Sequence, residues 1–261
     1  MARKFTGYVI DNEILAKDIF RLKIESDSLT QIANVGQFVN IKCSNGLEHL
    51  LRRPISLMDV DKENGTFDLG FQVKGEGTKF LSEKKKGDSL DIIGPSGNYF
   101  DLNSDYKKVA IIGGGIGVFP LYYLLKNLKS CKKDVFLGFR QKQYVIMEDE
   151  FKMFSDDLYI GTDDGSYGYK GFIINYFKMM LEKNRYDIIY ACGPTLMLKG
   201  ISNLAKDFNI NCQISLEQRM GCGIGACLVC ACKIKMGKQW EYKHVCKDGP
   251  VFWSDEVIFD E

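Results

Sequence analysis

The segment Met220–Cys246, reading MGCGIGACLVCACKIKMGKQWEYKHVC, constrains this chain more than any other stretch. Cys222, Cys227 and Cys230 fall as C-x4-C-x2-C, and Cys246 follows later. That is the plant-type spacing for a [2Fe–2S] cluster. Sulfide-bridged iron prefers soft anionic donors, which selects thiolates, and interleaved Gly221, Gly223 and Gly225 let a backbone curl around the group. Cysteine is also a small buried hydrophobe, but four within eleven residues, spaced by glycine, do not read as a core segment. Zinc is the other metal reading, although zinc knuckles usually present paired C-x2-C units and only Cys227/Cys230 has that form. Cys232 is a spare thiol that could take the place of Cys230.

A chain of 261 residues has room for two or three compact units. Lys plus Arg number 35 against 34 for Asp plus Glu, so no net field calls for nucleic acid or an anionic membrane. Nine cysteines, an odd number with most at metal-ligand spacing, point to a reducing cytoplasm rather than a disulfide framework. The N-terminus meets Asp11 and Glu13 before any apolar stretch long enough for a signal peptide, so a soluble protein is expected. The uncharged run Val109–Leu125 is at the bottom of the membrane-spanning range, and its triple glycine and proline predict strand, loop and helix instead.

From Lys4 to about Pro95 the pattern is short β-type segments (KFTGYVI, IFRLKIES, QFVNIKC, TFDLGFQV, SLDIIG) separated by Asn, Asp, Gly and Lys clusters. With one short helical candidate near Thr78–Ser82, this predicts a small antiparallel barrel. After Asn98, apolar strands alternate with amphipathic helices, the rhythm of a parallel sheet with crossovers, and NCQISLE is its expected last strand. The composition changes again at Gln218. The fold class expected is therefore multi-domain β plus α/β: a β-barrel over 1–100, a parallel-sheet α/β domain over 101–216 and a small Cys-rich domain over 217–261.

Four motifs carry chemistry. GGGIGVFP, with Gly115 and Gly117, follows a strand and opens a helix, where free backbone N–H groups receive a pyrophosphate. It is not G-x-G-x-x-G, and a plain tight βα turn is the competing reading. YACGPTLM puts Cys192, Gly193 and Pro194 on the same carboxyl edge, with Cys192 as a nicotinamide contact or else a packed core thiol. RRPISL is held extended by its proline and presents Arg53 and Ser56, which suit a phosphate and a flavin ring. FQVKGEGT offers Phe71 for stacking and the Gly77–Thr78 turn for a phosphate.

In this order, RPIS, GEGT, GGGIGVFP, CGPTLML and a Cys-rich tail resemble the ferredoxin–NADP reductase superfamily. Within it, SLEQRMGCGIGACLVCACK and HVCKDGPVF resemble the electron-transfer subunits of type B, NAD-dependent dihydroorotate dehydrogenases. The resemblance implies that Arg53, Pro54, Ile55, Ser56, Phe71, Gln72, Val73, Gly77 and Thr78 line an FAD site. It also implies that Cys222, Cys227, Cys230 and Cys246 hold the cluster. The family often has arginine where this chain has Gln72, which leaves the phosphate contact there open.

The function this implies is a relay. Electrons from an FMN-containing catalytic subunit that oxidises dihydroorotate pass through [2Fe–2S] and FAD to NAD⁺, in pyrimidine biosynthesis. The expected assembly is a heterotetramer of two catalytic and two electron-transfer subunits. No acid–base residue is called for. Arg140 and Lys142 could greet a 2′-phosphate and Asp163 and Asp164 oppose one; the resemblance favours NAD. Two alternatives stand beside this: a reductase subunit of a hydrogenase or sulfide-linked complex, and a non-enzymatic binding protein with structural zinc.

Overall fold

The computed structural model describes residues 3–44, 46, 48 and 50–259. The first unit is a closed antiparallel barrel in the order β1-β2-β5-β4-β3-β6. Its strands are β1 (Arg3–Ala16), β2 (Ile19–Glu25), β3 (Phe38–Ile41), β4 (Arg53–Asp61), β5 (Thr66–Gln72) and β6 (Ser89–Ser96). A helical turn α1 (Asp27–Thr30) follows β2, and α2 (Glu76–Ser82) follows β5. The period-2 pattern explains the closure. Leu22 and Ile24 of β2 and Val39 and Ile41 of β3 are wholly buried in the core. The alternate residues of β3, Phe38 and Asn40, face outward yet are also buried, so another unit covers that strand.

The second unit is a seven-stranded sheet in the order β10-β9-β8-β7-β11-β12-β15. Its strands are β7 (Lys108–Gly114), β8 (Lys132–Phe139), β9 (Asp157–Thr162), β10 (Tyr169–Lys170), β11 (Ile188–Cys192) and β12 (Asn211–Ser215). The connecting helices are α3 (Val118–Asn127), α4 (Glu148–Phe154), α5 (Ile173–Leu181) and α6 (Thr195–Asp207). The long apolar run divides into β7, a glycine turn and α3. Every residue of α3 from Val118 to Leu125 is buried, because one side packs on the sheet and the other on β4 of the barrel. The Phe119 ring lies against Gly70 of β5, where a Cβ would come within 2.3 Å of it. Lys126 of α3 adds an ion pair to Asp59 of β4.

The third unit is a small antiparallel sheet in the order β14-β13-β16, with β13 (Ala231–Met236), β14 (Gln239–His244) and β16 (Val257–Ile258). The sequence did not foretell where β15 (Val251–Trp253) would go. It leaves this segment to pair antiparallel with β12, so NCQISLE is not the sheet's last strand and the Cys-rich segment is sewn into the α/β domain. The Asn98 amide, just past β6, donates to the Val251 carbonyl (2.6 Å) and accepts from the Val251 N–H (3.0 Å). All three units therefore meet at one place. Among the described residues no helix is long and apolar enough to cross a membrane.

Candidate functional site

At that meeting place lies a cavity of about 660 Å³, within the size range of cofactor sites. From the barrel it is lined by Arg53, Pro54, Ile55, Ser56, Phe71, Gln72, Lys74 and Thr78. From the α/β domain come Gly114, Gly115, Ile116, Gly117, Cys192, Gly193 and Pro194. Two residues of the expected set stand elsewhere. Val73 packs against the barrel core, its N–H donating to the Asp18 carbonyl (2.8 Å). Gly77 is buried beneath Arg53, where a Cβ would sit 2.6 Å from Nε.

Local structure explains the barrel side. Pro54 holds β4 extended, so Arg53 and Ser56 are set on a rigid edge. Arg53 is pinned by donation from Nη1 to the Leu51 carbonyl (2.7 Å). The Thr78 hydroxyl is spent internally: it accepts from the N–H groups of Lys74 and Gly75 and donates to the Gly75 carbonyl. That closes the turn before α2, so Thr78 shapes the loop that carries Lys74.

The α/β side is built by strand register. Cys192 at the end of β11 stands between Gly113 of β7 and Ser215 of β12. The chain winds one way from β7 through β8 and the other way through β11, so this is the switch point at which open sheets bind ligands. The two glycine turns touch: a Cβ on Gly117 would lie 2.6 Å from the Cys192 carbonyl oxygen. Only glycine permits that approach. Burial pushes the Cys192 thiol up to about 12, against a hydrogen bond with Ser215, and Glu217 adds to the rise. The thiol is neutral at physiological pH and so not poised as a nucleophile. Ser215, Leu216, Glu217, Gln218 and Met220 also line the cavity and were not singled out from sequence. The carboxyl-edge rule, applied to NCQISLE as it was to YACGP, would have found Ser215, Leu216 and Glu217.

At the outer lip Arg140 and Tyr144 line the cavity. Desolvation raises the Asp163 carboxyl above its usual range, with Arg140 opposing and Asp164 adding. Lys142 lies over the Tyr167 ring, 5.6 Å from its centre.

Behind the barrel wall is the cysteine loop. The N–H groups of Ala226 and Cys227 donate to Cys222 Sγ (3.2 and 3.3 Å), that of Ile224 does so at 3.5 Å, and that of Gly225 donates to Cys246 Sγ (3.1 Å). Desolvation opposes ionisation of Cys222, but these N–H groups, with the Cys227 thiol, bring it down to about 6. Cys230 and Cys246 are buried together, and burial with the Cys230 thiol pushes Cys246 up to about 12. Among the described residues no three His, Cys, Asp or Glu side chains are drawn around one metal-ion position. Cys232 stands on β13 beside Cys230, its thiol directed at the Lys243 carbonyl at 3.6 Å.

Phe38 joins the two places. It lines the cavity and belongs to the same buried apolar cluster as Cys230, Val245 and Cys246.

Residues 7–100 match the family described as oxidoreductase FAD-binding domain, and residues 217–258 match the iron–sulfur cluster binding domain of dihydroorotate dehydrogenase B. The dihydroorotate dehydrogenase B (NAD(+)) electron transfer subunit of Caldanaerobacter subterraneus subsp. tengcongensis is 40% identical over 259 residues, 99% of this chain and 100% of that protein. The chain belongs to this family of electron transfer subunits. The Fusobacterium nucleatum member is 42% identical over 95% of this chain and 96% of its own length. Among solved structures, a chain of an NADH-dependent reduced ferredoxin–NADP oxidoreductase, described for flavin-based electron bifurcation, superposes with a TM-score of 0.83 at 35% identity, covering 97% of this chain and 89% of that one. Amycolatopsis cytochrome P450 reductase, at 19% identity and a TM-score of 0.67 over 80% of this chain and 67% of that one, shares the fold.

The donors fit the groups that the family implies. An N–H-lined thiol loop suits a [2Fe–2S] cluster, since hydrogen bonds to sulfur stabilise ligating thiolates. A cavity with apolar walls at Pro54, Ile55 and Phe71 and the cations Arg53 and Lys74 suits FAD.

Proposed function

We propose that this chain carries electrons between NAD⁺ and an FMN-containing catalytic subunit that oxidises dihydroorotate, in a heterotetramer of two copies of each subunit in the cytoplasm. Within the chain, residues 1–100 bind FAD, 101–216 bind the nicotinamide coenzyme and 217–261 hold the cluster. Bound FAD supplies both hydride exchange and one-electron exchange, which is why it belongs between coenzyme and cluster. The chain's residues do the rest by position.

The glycine turn at Gly114–Gly117 and the edge at Cys192–Pro194 receive the dinucleotide, with Cys192 as a neutral contact for the nicotinamide. Asp163, set against Arg140, disfavours an added 2′-phosphate and so selects NAD. Arg53, Pro54, Ile55, Ser56, Phe71, Gln72 and Thr78 bound the flavin. Cys222, Cys227, Cys230 and Cys246 ligate the cluster, and the commitment of Cys232 to the β14 carbonyl supports leaving it out. The observation that carries the reading is the single wall, Phe38, shared by the flavin cavity and the cysteine loop.

The test is reconstitution with the FMN-containing subunit. Dihydroorotate-dependent NAD⁺ reduction, absent from either subunit alone, is expected; a tight pair without that activity contradicts the proposal. The likeness to the bifurcating oxidoreductase favours one second reading, a reductase subunit serving another acceptor. Co-purification with a flavoprotein indifferent to dihydroorotate would select it.

A further inference from the structure

On the outer face of β3, Phe38 lines the cavity and Asn40 bonds to the cysteine loop. Phe38 shares a buried apolar cluster with Cys230 and Cys246. Asn40 is 1% exposed, and its Nδ2 donates to the carbonyl of Gly223 at 3.2 Å, a hydrogen bond that spans 183 residues of sequence. Gly223 sits between the ligand Cys222 and the N–H groups that serve the sulfurs. Its φ is +68°, and a Cβ there would lie 2.5 Å from Asn40 Oδ1, so the loop backbone is pressed flat on the asparagine amide. Asn40 itself cannot drift. Its backbone is held in the barrel between Pro54 of β4 and Ile93 of β6. Arg52, paired with Asp91, also reaches its carbonyl (3.4 Å).

A buried amide has a reason to be there, since a leucine of similar size would cost less to bury and the polar group must find its partner. We propose that Asn40 is a positioning residue for electron transfer: it fixes the Gly223 carbonyl, and with it the Cys222 end of the cluster loop, at a set distance and orientation from the flavin beyond Phe38. This rests on the assignment of the loop to the [2Fe–2S] cluster, which iron and acid-labile sulfide content of the wild-type protein tests separately.

The variants are Asn40→Leu, which keeps bulk and removes the donor, and Asn40→Asp, which keeps shape and sets an oxygen against the Gly223 carbonyl. Asn98→Ala loosens the same unit at Val251, away from the cluster loop, and serves as the comparison. Each holoprotein is measured for bound FAD, for the electron paramagnetic resonance spectrum and midpoint potential of the cluster, and for the rate at which NADH reduces flavin and then cluster. Both Asn40 variants should retain FAD, shift the cluster spectrum or potential, and slow the second phase by about tenfold to a hundredfold, the upper end being the cost of misplacing a reacting group by about 1 Å. Flavin reduction should not change. Loss of the cluster with FAD retained would also support the proposal. Asn98→Ala should lower thermal stability and leave the spectrum alone. The proposal is overturned if the Asn40 variants keep the wild-type spectrum, potential and second-phase rate, or if they lose FAD and cluster alike, which would make Asn40 a general stability residue.

Discussion

Cys192 and Cys222 are each followed by glycine, and each stands where the chain turns sharply, yet their thiols are driven in opposite directions. Cys192 ends a strand in a parallel sheet, where burial dominates and raises its thiol to about 12. Cys222 opens a loop whose next turn folds three N–H groups back onto its sulfur, and it falls to about 6. Desolvation acts on both in the same sense. What separates them is how deeply each is buried and where the backbone donors point, and the donors are set by the glycine loop rather than by the Cys-Gly pair. One site therefore keeps a neutral thiol at the sheet edge proposed for the nicotinamide, while the other favours a thiolate, the form that the proposed cluster requires.

The sharpest way to break this contrast is to remove sulfur from the loop. Cys222→Ser or Cys246→Ser should abolish the [2Fe–2S] spectrum and leave FAD bound; a cluster retained in Cys246→Ser would bring Cys232 in as a ligand. Next in size is Gly117→Val at the sheet edge. A side chain there overlaps the Cys192 carbonyl, so NADH affinity should fall by about a hundredfold with the cluster spectrum unchanged, read by flavin reduction kinetics. At the lip, Asp163→Asn removes the charge facing Arg140 and should improve the use of NADPH relative to NADH by about fivefold, the scale of an exposed charge pair.

The smallest expected effect concerns pH. With the Cys192 thiol raised from 9.0 to about 12, the folded protein holds it protonated, so its contribution to stability is full below pH 9 and is lost as pH rises from 9 towards 12. NADH-dependent flavin reduction should show no limb between pH 6 and about 9 assignable to this thiol, and Cys192→Ser should change that profile little. A limb near pH 8 that vanishes in Cys192→Ser would show the thiol ionising, contrary to the contrast drawn above.

Much of this was legible in the chain because the signals are local. Alternation in FRLKI and FVNI marks the barrel strands, and the glycines after VAII mark the turn where a 17-residue apolar run breaks into strand and helix. The cysteine spacing is a local signal too. What could not be read depends on distant contacts. Nothing in VFW says that it will leave its neighbours and pair with β12, because that choice is made by the Asn98–Val251 bonds and the sheet's open edge. Likewise FVNI looks like any strand, and only the assembled molecule reveals that its polar residue meets a glycine 183 positions away. Gly77 and Val73 were drawn into the flavin set by a resemblance that runs through them, whereas Val73, just past β5, packs on the barrel core and Gly77 lies beneath Arg53.

The central claim is that the flavin cavity lies between the coenzyme and the cluster, with Phe38 as the shared wall. It is tested most directly by adding NADH anaerobically to the holoprotein and to the same protein stripped of FAD, while following the cluster's visible and paramagnetic signals. The account predicts that NADH reduces the cluster in the holoprotein, after the flavin bleaches, and leaves it oxidised in the stripped protein. Reduction without flavin, or a bleached flavin beside a cluster that dithionite reduces but NADH never does, would contradict it.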